Sequence, residues 1–170
     1  ALTVELLNGW YGDAAWEYNT GNSRTIKSNI STRYQPEPGK ILNMGYRFTK
    51  DSLEQLDISG EWPLGGSWYG VGRLNYSLRD HVATAVAPAD VSGPIEYLAG
   101  VEYNAGCWQT RAVLQRLPTA TAASTAKANY AFFVQLELSG FSKIGSNPLD
   151  VINRSVYGYT DIAKLPPSPQ

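Results

Sequence analysis

The side chains best placed to do chemistry are Arg47, Arg73 and Arg111, with Asp57, Glu102 and Glu137, each in a stretch where polar and apolar residues alternate. A guanidinium group grips phosphate or carboxylate oxygens bidentately. Lys27, Arg33, Arg47, Arg73 and Arg111 could therefore contact phosphates, or pair across strands with Asp57, Glu61, Glu102 and Glu137 along a wetted wall. Cross-strand pairing is the commoner use and leads. Nucleophilic catalysis needs a nucleophile, a base and a group that orients the base. The chain has a single histidine, His81, and no Gly-x-Ser-x-Gly elbow, so no enzymatic activity is expected. His81 and the single cysteine, Cys107, cannot assemble a zinc site, and no metal or cofactor motif is present.

The elements that must position these residues are strands. From Tyr130, one parity runs Tyr130, Phe132, Val134, Leu136, Leu138 and the other Ala131, Phe133, Gln135, Glu137, Ser139. Successive strand side chains point to opposite faces, so this is a two-faced ribbon. Strands are expected at 1–7, 10–19, 24–34, 38–49, 51–62, 67–79, 94–104, 107–117 and 128–141, separated by turn residues such as Asn8-Gly9 and Gly65-Gly66. Parity places Leu42, Met44, Tyr46 and Phe48 opposite Asn43 and Arg47, and Ile95, Tyr97 and Val101 opposite Glu96 and Glu102. Arg47, Asp57, Arg73, Glu102, Arg111, Gln135 and Glu137 all fall on the polar face.

Composition narrows the class. With 170 residues, 43% apolar and 17% charged, the chain can build one ordinary domain, and a net charge of −1 argues against nucleic acid as a partner. The longest apolar runs fall far short of the ~20 residues of a spanning helix. The first residues carry no signal peptide, as though one had been removed or the chain began in mid-protein. Alternation leaves open which face is inside, because a soluble barrel buries its apolar parity and a membrane barrel turns it to lipid. Three features favour lipid. The strands have the length that crosses a bilayer at a tilt; aromatics gather near strand ends (Trp10, Trp62, Trp68, Tyr103, Trp108, Tyr130); and long connections at 80–93 and 118–127 alternate with tight ones. The expected fold is all-β, an antiparallel up-and-down transmembrane β-barrel segment of about eight or nine strands over 1–141. Residues 142–170 are expected to form a short helix, from Asn147 and Pro148 to about Val156, and a disordered proline-rich tail.

Several stretches resemble a known family: Arg33-Tyr34-Gln35-Pro36-Glu37-Pro38-Gly39-Lys40, Gly45-Tyr46-Arg47-Phe48-Thr49, Gly60-Glu61-Trp62-Pro63, Gly72-Arg73-Leu74-Asn75-Tyr76-Ser77, Cys107-Trp108 and Phe132-Phe133-Val134-Gln135-Leu136. In order and spacing they are similar to the C-terminal barrel of the lipopolysaccharide-assembly outer-membrane protein family, LptD. The resemblance implies a large Gram-negative outer-membrane barrel that inserts lipopolysaccharide into the outer leaflet through a polar lumen and a lateral seam between its first and last strands. It implies as partners an LptE-like plug lipoprotein, outer-membrane lipid, and a periplasmic lipopolysaccharide bridge reached through an N-terminal domain. The C-terminal tail would lie in the periplasm. Tyr130, Phe132, Val134, Leu136 and Leu138 would line the seam as the final strand. The family commonly carries paired cysteines where this chain has Gly106 and Cys107, so at most one disulfide to the N-terminal domain is implied, from Cys107. From the residues alone, a passive porin-like or structural barrel and a soluble barrel enclosing an apolar ligand stay open.

Overall fold

The computed structural model describes residues 2–19, 24–50, 53–83, 88–117, 129–138 and 143–165. One antiparallel sheet of ten strands runs in strict sequence order. The strands are β1 Leu2–Leu7, β2 Trp10–Asn19, β3 Arg24–Glu37, β4 Lys40–Thr49, β5 Leu53–Gly65, β6 Trp68–Ala83, β7 Pro88–Asn104, β8 Trp108–Leu117, β9 Asn129–Leu138 and β10 Lys143–Gly145. A short helix, α1 (Leu149–Ser155), and a 3-10 turn (Ile162–Lys164) follow. Among the described residues, β1 and β10 each pair on one side only, and the sheet does not close on itself.

Each hairpin is local, as alternation with tight turns dictates. Turns at 8–9, 38–39, 66–67 and 105–107 sit at one end of the sheet, the short-turn end. Gly9 shows why glycine is required there. It has φ +79°, and an added Cβ would lie 2.9 Å from both the Gln35 carbonyl oxygen and the Pro36 Cα of the neighbouring hairpin. The Gln35 amide donates to the Gly9 carbonyl at 2.7 Å, tying the two turns together.

Register keeps the two parities on separate faces across the sheet. One row reads Thr32, Met44, Ile58, Leu74, Tyr97, each opposite the next, and a parallel row reads Arg33, Asn43, Ser59, Arg73, Leu98. The apolar face is exposed: Phe132 is 68% accessible, Ile30 55%, Met44 50% and Leu74 40%. This excludes the soluble barrel with Leu74 and Leu136 turned into a core, because both stand on the open face. Buried residues lie on the other face, where Ile41, Val71, Leu98 and Val113 meet Ile152 and Val156 from α1.

The structure corrects three boundary expectations. The long connection at 80–93 is an extended hairpin, with β6 and β7 paired out to Ala83 and Pro88. Pro88, Gly93 and Pro94 read as loop signals, but Pro88 opens its strand, where a missing N–H is tolerated, and Gly93 lies beside a register shift that absorbs the irregularity. His81 accordingly lies on a strand. Residues 128–141 do not form the final strand, since β10 pairs back onto Gln135–Glu137. Its three residues are too few to carry an alternation signal. The helix is shorter than expected, with Pro148 at its cap. The connection at 118–127 and the tail at 166–170 lie outside the described residues.

Candidate functional site

The inner face of the sheet, together with the C-terminal segment 146–165 laid across it, holds the chain's concentrated polar chemistry. The segment is seated by apolar side chains. Leu149, Ile152 and Val156 recur at helical spacing, and the sheet presents Ile41, Val71, Leu98 and Val113 at inward positions. These inward apolar residues interrupt the polar parity of β4, β6, β7 and β8, the one sequence signal that something must cover that wall. Gly100 leaves the room that these side chains fill, since a Cβ there would meet Val113 Cγ2 at 2.9 Å and Val71 Cγ1 at 3.0 Å. Gly158, at φ +82°, lets the segment descend onto Ile41, whose Cδ1 occupies the place of a Cβ.

Around this apolar patch the segment is held by a polar hub at Arg111, whose side chain is wholly buried. Its Nε donates to Glu102 Oε1 at 2.9 Å, and its Nη1 to Glu137 Oε2 at 3.0 Å and Gln135 Oε1 at 3.3 Å. Its Nη2 donates to Asp161 Oδ1 of the segment. Strands β7, β8 and β9 and the segment thus converge on one cation. The Tyr159 hydroxyl donates to Glu102 Oε1 at 2.7 Å. Burial, and next the charge of Glu102 and the hydrogen bond to it, hold the Tyr159 phenol well above its ordinary pKa.

Further contacts stitch the segment across the wall. The Asn104 amide donates to the carbonyls of Ile162 at 2.7 Å and Leu165 at 3.2 Å. The Thr160 backbone N–H donates to Glu61 Oε2 at 3.0 Å, and the Asn43 amide to the Tyr157 carbonyl at 2.9 Å. Arg33 lies between the rings of Tyr11 and Tyr157, 4.8 Å from each centroid. The segment therefore touches the inner wall from β9 to β3 near the short-turn end.

The expected polar residues divide into two groups. Glu102, Arg111, Gln135 and Glu137 meet in the hub. Arg47, Asp57 and Arg73 line a separate cavity farther along the wall, where Arg73 grips Asp57 through Nη2 at 2.6 Å and Nε at 3.0 Å. Tyr130, Phe132, Val134, Leu136 and Leu138 all point outward and are exposed. β9 pairs with β8 along its whole length. On its other side β10 covers Gln135–Glu137, and the Val134 backbone exchanges hydrogen bonds with Ser146, its N–H donating to Oγ and its carbonyl accepting from the N–H, both at 3.1 Å. Cys107 is exposed at the β7–β8 turn. Asp161 and Tyr159 were not legible as hub members, because they meet the strands only after the chain folds back, and Asn104, at the end of β7, finds its partners Ile162 and Leu165 only then.

On the outer face at the short-turn end, rings line up from strand to strand. Trp10 and Tyr34 are 4.6 Å apart, Tyr34 and Trp62 6.4 Å, Trp68 and Tyr103 4.8 Å, and Tyr103 and Trp108 5.2 Å. Tyr130 stands apart, against Tyr97. Such a girdle bordering an exposed apolar band marks a membrane–water interface, and large apolar side chains stand exposed on that face from Ile30 on β3 to Phe132 on β9. Strands of this length, with an apolar exterior and a polar interior, define the wall of an up-and-down membrane β-barrel.

The particular family follows from comparison with known proteins. The family profile described as LPS transport system D, LptD, matches residues 1–68. The chain is 43% identical over 169 residues to the LPS-assembly protein LptD of Thiobacillus denitrificans, covering 99% of this chain and 21% of that protein. It is 44% identical over 150 residues to that of Aromatoleum aromaticum, covering 88% of this chain and 17% of that protein, and 50% identical over 134 residues to that of Nitrosospira multiformis, covering 79% and 13%. The chain belongs to the LptD family and spans about a fifth or less of the length of these relatives.

Proposed function

We propose that this chain is a section of the wall of a Gram-negative outer-membrane barrel that passes lipopolysaccharide into the outer leaflet. The supporting observation is the separation of faces: a continuous apolar exterior behind a girdle of rings, and an interior carrying charged residues of both signs. A lipid with a polar headgroup needs both surfaces, one for its chains and one for its head. The relatives are named LPS-assembly proteins, which gives the substrate class.

In this reading the short-turn end faces the periplasm, an LptE-like lipoprotein occupies the lumen, and the strands missing from the open sheet come from the rest of a longer protein. The lateral seam falls at the edge formed by β9 and β10. Its covered half lies at Val134–Glu137, while the outer edge of Asn129–Phe133 pairs with no described strand. That difference would let acyl chains leave sideways toward the long-loop end. The test is crosslinking of a cysteine at Phe132, on the open part of the edge, to first-strand cysteines in the full-length protein. Transport should be abolished. Undiminished lipopolysaccharide delivery through a crosslinked seam would sink the reading, and ion conductance without lipid transfer would indicate a porin-like barrel.

Cys107 is exposed at the turn end assigned to the periplasm, an oxidising compartment, and in this reading bonds a cysteine of the N-terminal domain. The full-length protein should change mobility on reduction; unchanged mobility removes the bridge.

A further inference from the structure

Between the inner wall and the C-terminal segment lies a cavity of about 430 Å³, separate from the Arg111 hub. Its lining includes Arg33, Arg47, Arg73 and Arg154 against Asp13 and Asp57, in a chain whose net charge is −1. We propose that this cavity is a phosphate-binding site, built jointly by the wall and the segment, in which Arg47 and Arg154 are the principal donors and Arg33 supports them.

The charges do not cancel locally. Arg73 is engaged by Asp57 and lies 4.0 Å from Glu96, which removes Arg73 and Asp57 from the balance. Arg33, Arg47 and Arg154 then face Asp13. Among the described residues no ion pair joins Arg47 or Arg154 to a carboxylate, and both side chains are exposed. The surplus matches a phosphate group, which carries about −1.5 to −2 near neutral pH.

Geometry favours in-plane recognition. The Arg33 guanidinium carbon lies 4.8 Å from the ring centroids of both Tyr11 and Tyr157, and a guanidinium held over aromatic rings keeps its N–H groups for acceptors. The Arg33 Nε is buried and has no hydrogen-bond partner among the described residues. Gly45 forms part of the cavity floor. Its backbone would accept a side chain, since an added Cβ would lie 3.9 Å from Ser31 Cβ and 4.0 Å from Asp57 Cβ. The space is therefore open because the residue is glycine, and backbone strain does not require one there.

Arg154 comes from the end of α1, so the site is complete only with the segment docked. A phosphate could be free or borne by a lipid headgroup, and recognition is the same for both. The proposal does not depend on the transport reading, because it concerns binding alone.

The test uses the full-length protein in neutral detergent. Inorganic phosphate is titrated and followed by phosphorus NMR line width, and short-chain phosphatidic acid is titrated in parallel against the matching diacylglycerol. Saturable binding is expected, weakened about tenfold in R47Q/R154Q by loss of charge-assisted hydrogen bonds, and unchanged in R116Q, which lies outside the cavity. G45V, which alters no charge, should weaken it also and gives an independent route to the same answer. Binding of both probes supports the shared phosphate chemistry, phosphatidic acid alone a headgroup source, and phosphate alone a free ion. Absence of saturable binding by either probe, or binding indifferent to both R47Q/R154Q and G45V, overturns the proposal.

Discussion

Arg111 and Arg47 sit on ten-residue strands, on the same face of the same sheet, in the same local alternation, and their surroundings are opposite. Arg111 is wholly buried and bonded to Glu102, Glu137, Gln135 and Asp161. Arg47 is exposed and lines an open cavity. The C-terminal segment makes the difference, because it seals over the first and only borders the cavity that holds the second. One inner surface is thereby divided into a dry, fixed part near the short turns and a wet part available to ligands. A buried cation that loses one partner leaves uncompensated charge in a low-dielectric setting, whereas an exposed one is solvated in either case.

The sharpest way to break this contrast is Arg111→Met. It strands Glu102 and Asp161 and should cost about 3–5 kcal/mol, read by denaturant unfolding of the full-length protein together with protease cleavage within 157–165. A loss below about 1 kcal/mol would mean that the hub does not hold the segment. Ile152→Ala removes the fully buried apolar anchor of α1 and should cost about 2–5 kcal/mol, with the same gain in protease sensitivity but intact ion pairs.

Tyr159→Phe deletes one donor to Glu102 and should cost about 1–3 kcal/mol. It also changes the alkaline limb. The folded-state phenol titrates above its unfolded value of 10.0, so its contribution is fully present below that pH and falls as pH rises beyond it. The variant should lose this alkaline dependence, and wild-type phenolate absorbance should show a tyrosine, missing from the variant, that resists titration until the segment releases. The smallest effect belongs to Arg47→Gln, expected within about 0.5 kcal/mol in the same unfolding measurement. A large loss there would erase the contrast between the two arginines.

Much of the architecture is legible residue by residue. The alternation in Leu42–Phe48 and Tyr130–Leu138 places the exposed apolar face, and the aromatic ends from Trp10 to Trp108 place the girdle. The extended β6–β7 hairpin was obscured because Pro88, Gly93 and Pro94 carry turn chemistry that a bulge and a strand start can also use. β10 was hidden by its shortness. In the hub, Glu102, Arg111, Gln135 and Glu137 were on the correct face, but their partner Asp161 lies fifty residues beyond Arg111.

By itself the sequence determined a two-faced antiparallel ribbon, because side-chain parity and turn preference are local properties of the backbone. Tertiary structure decided which polar residues leave water. Ile41, Val71, Leu98 and Val113 needed a cover, and among the described residues the returning segment supplies it with Ile152 and Val156. Burial depends on what packs from far along the chain, and that is not written in any single strand.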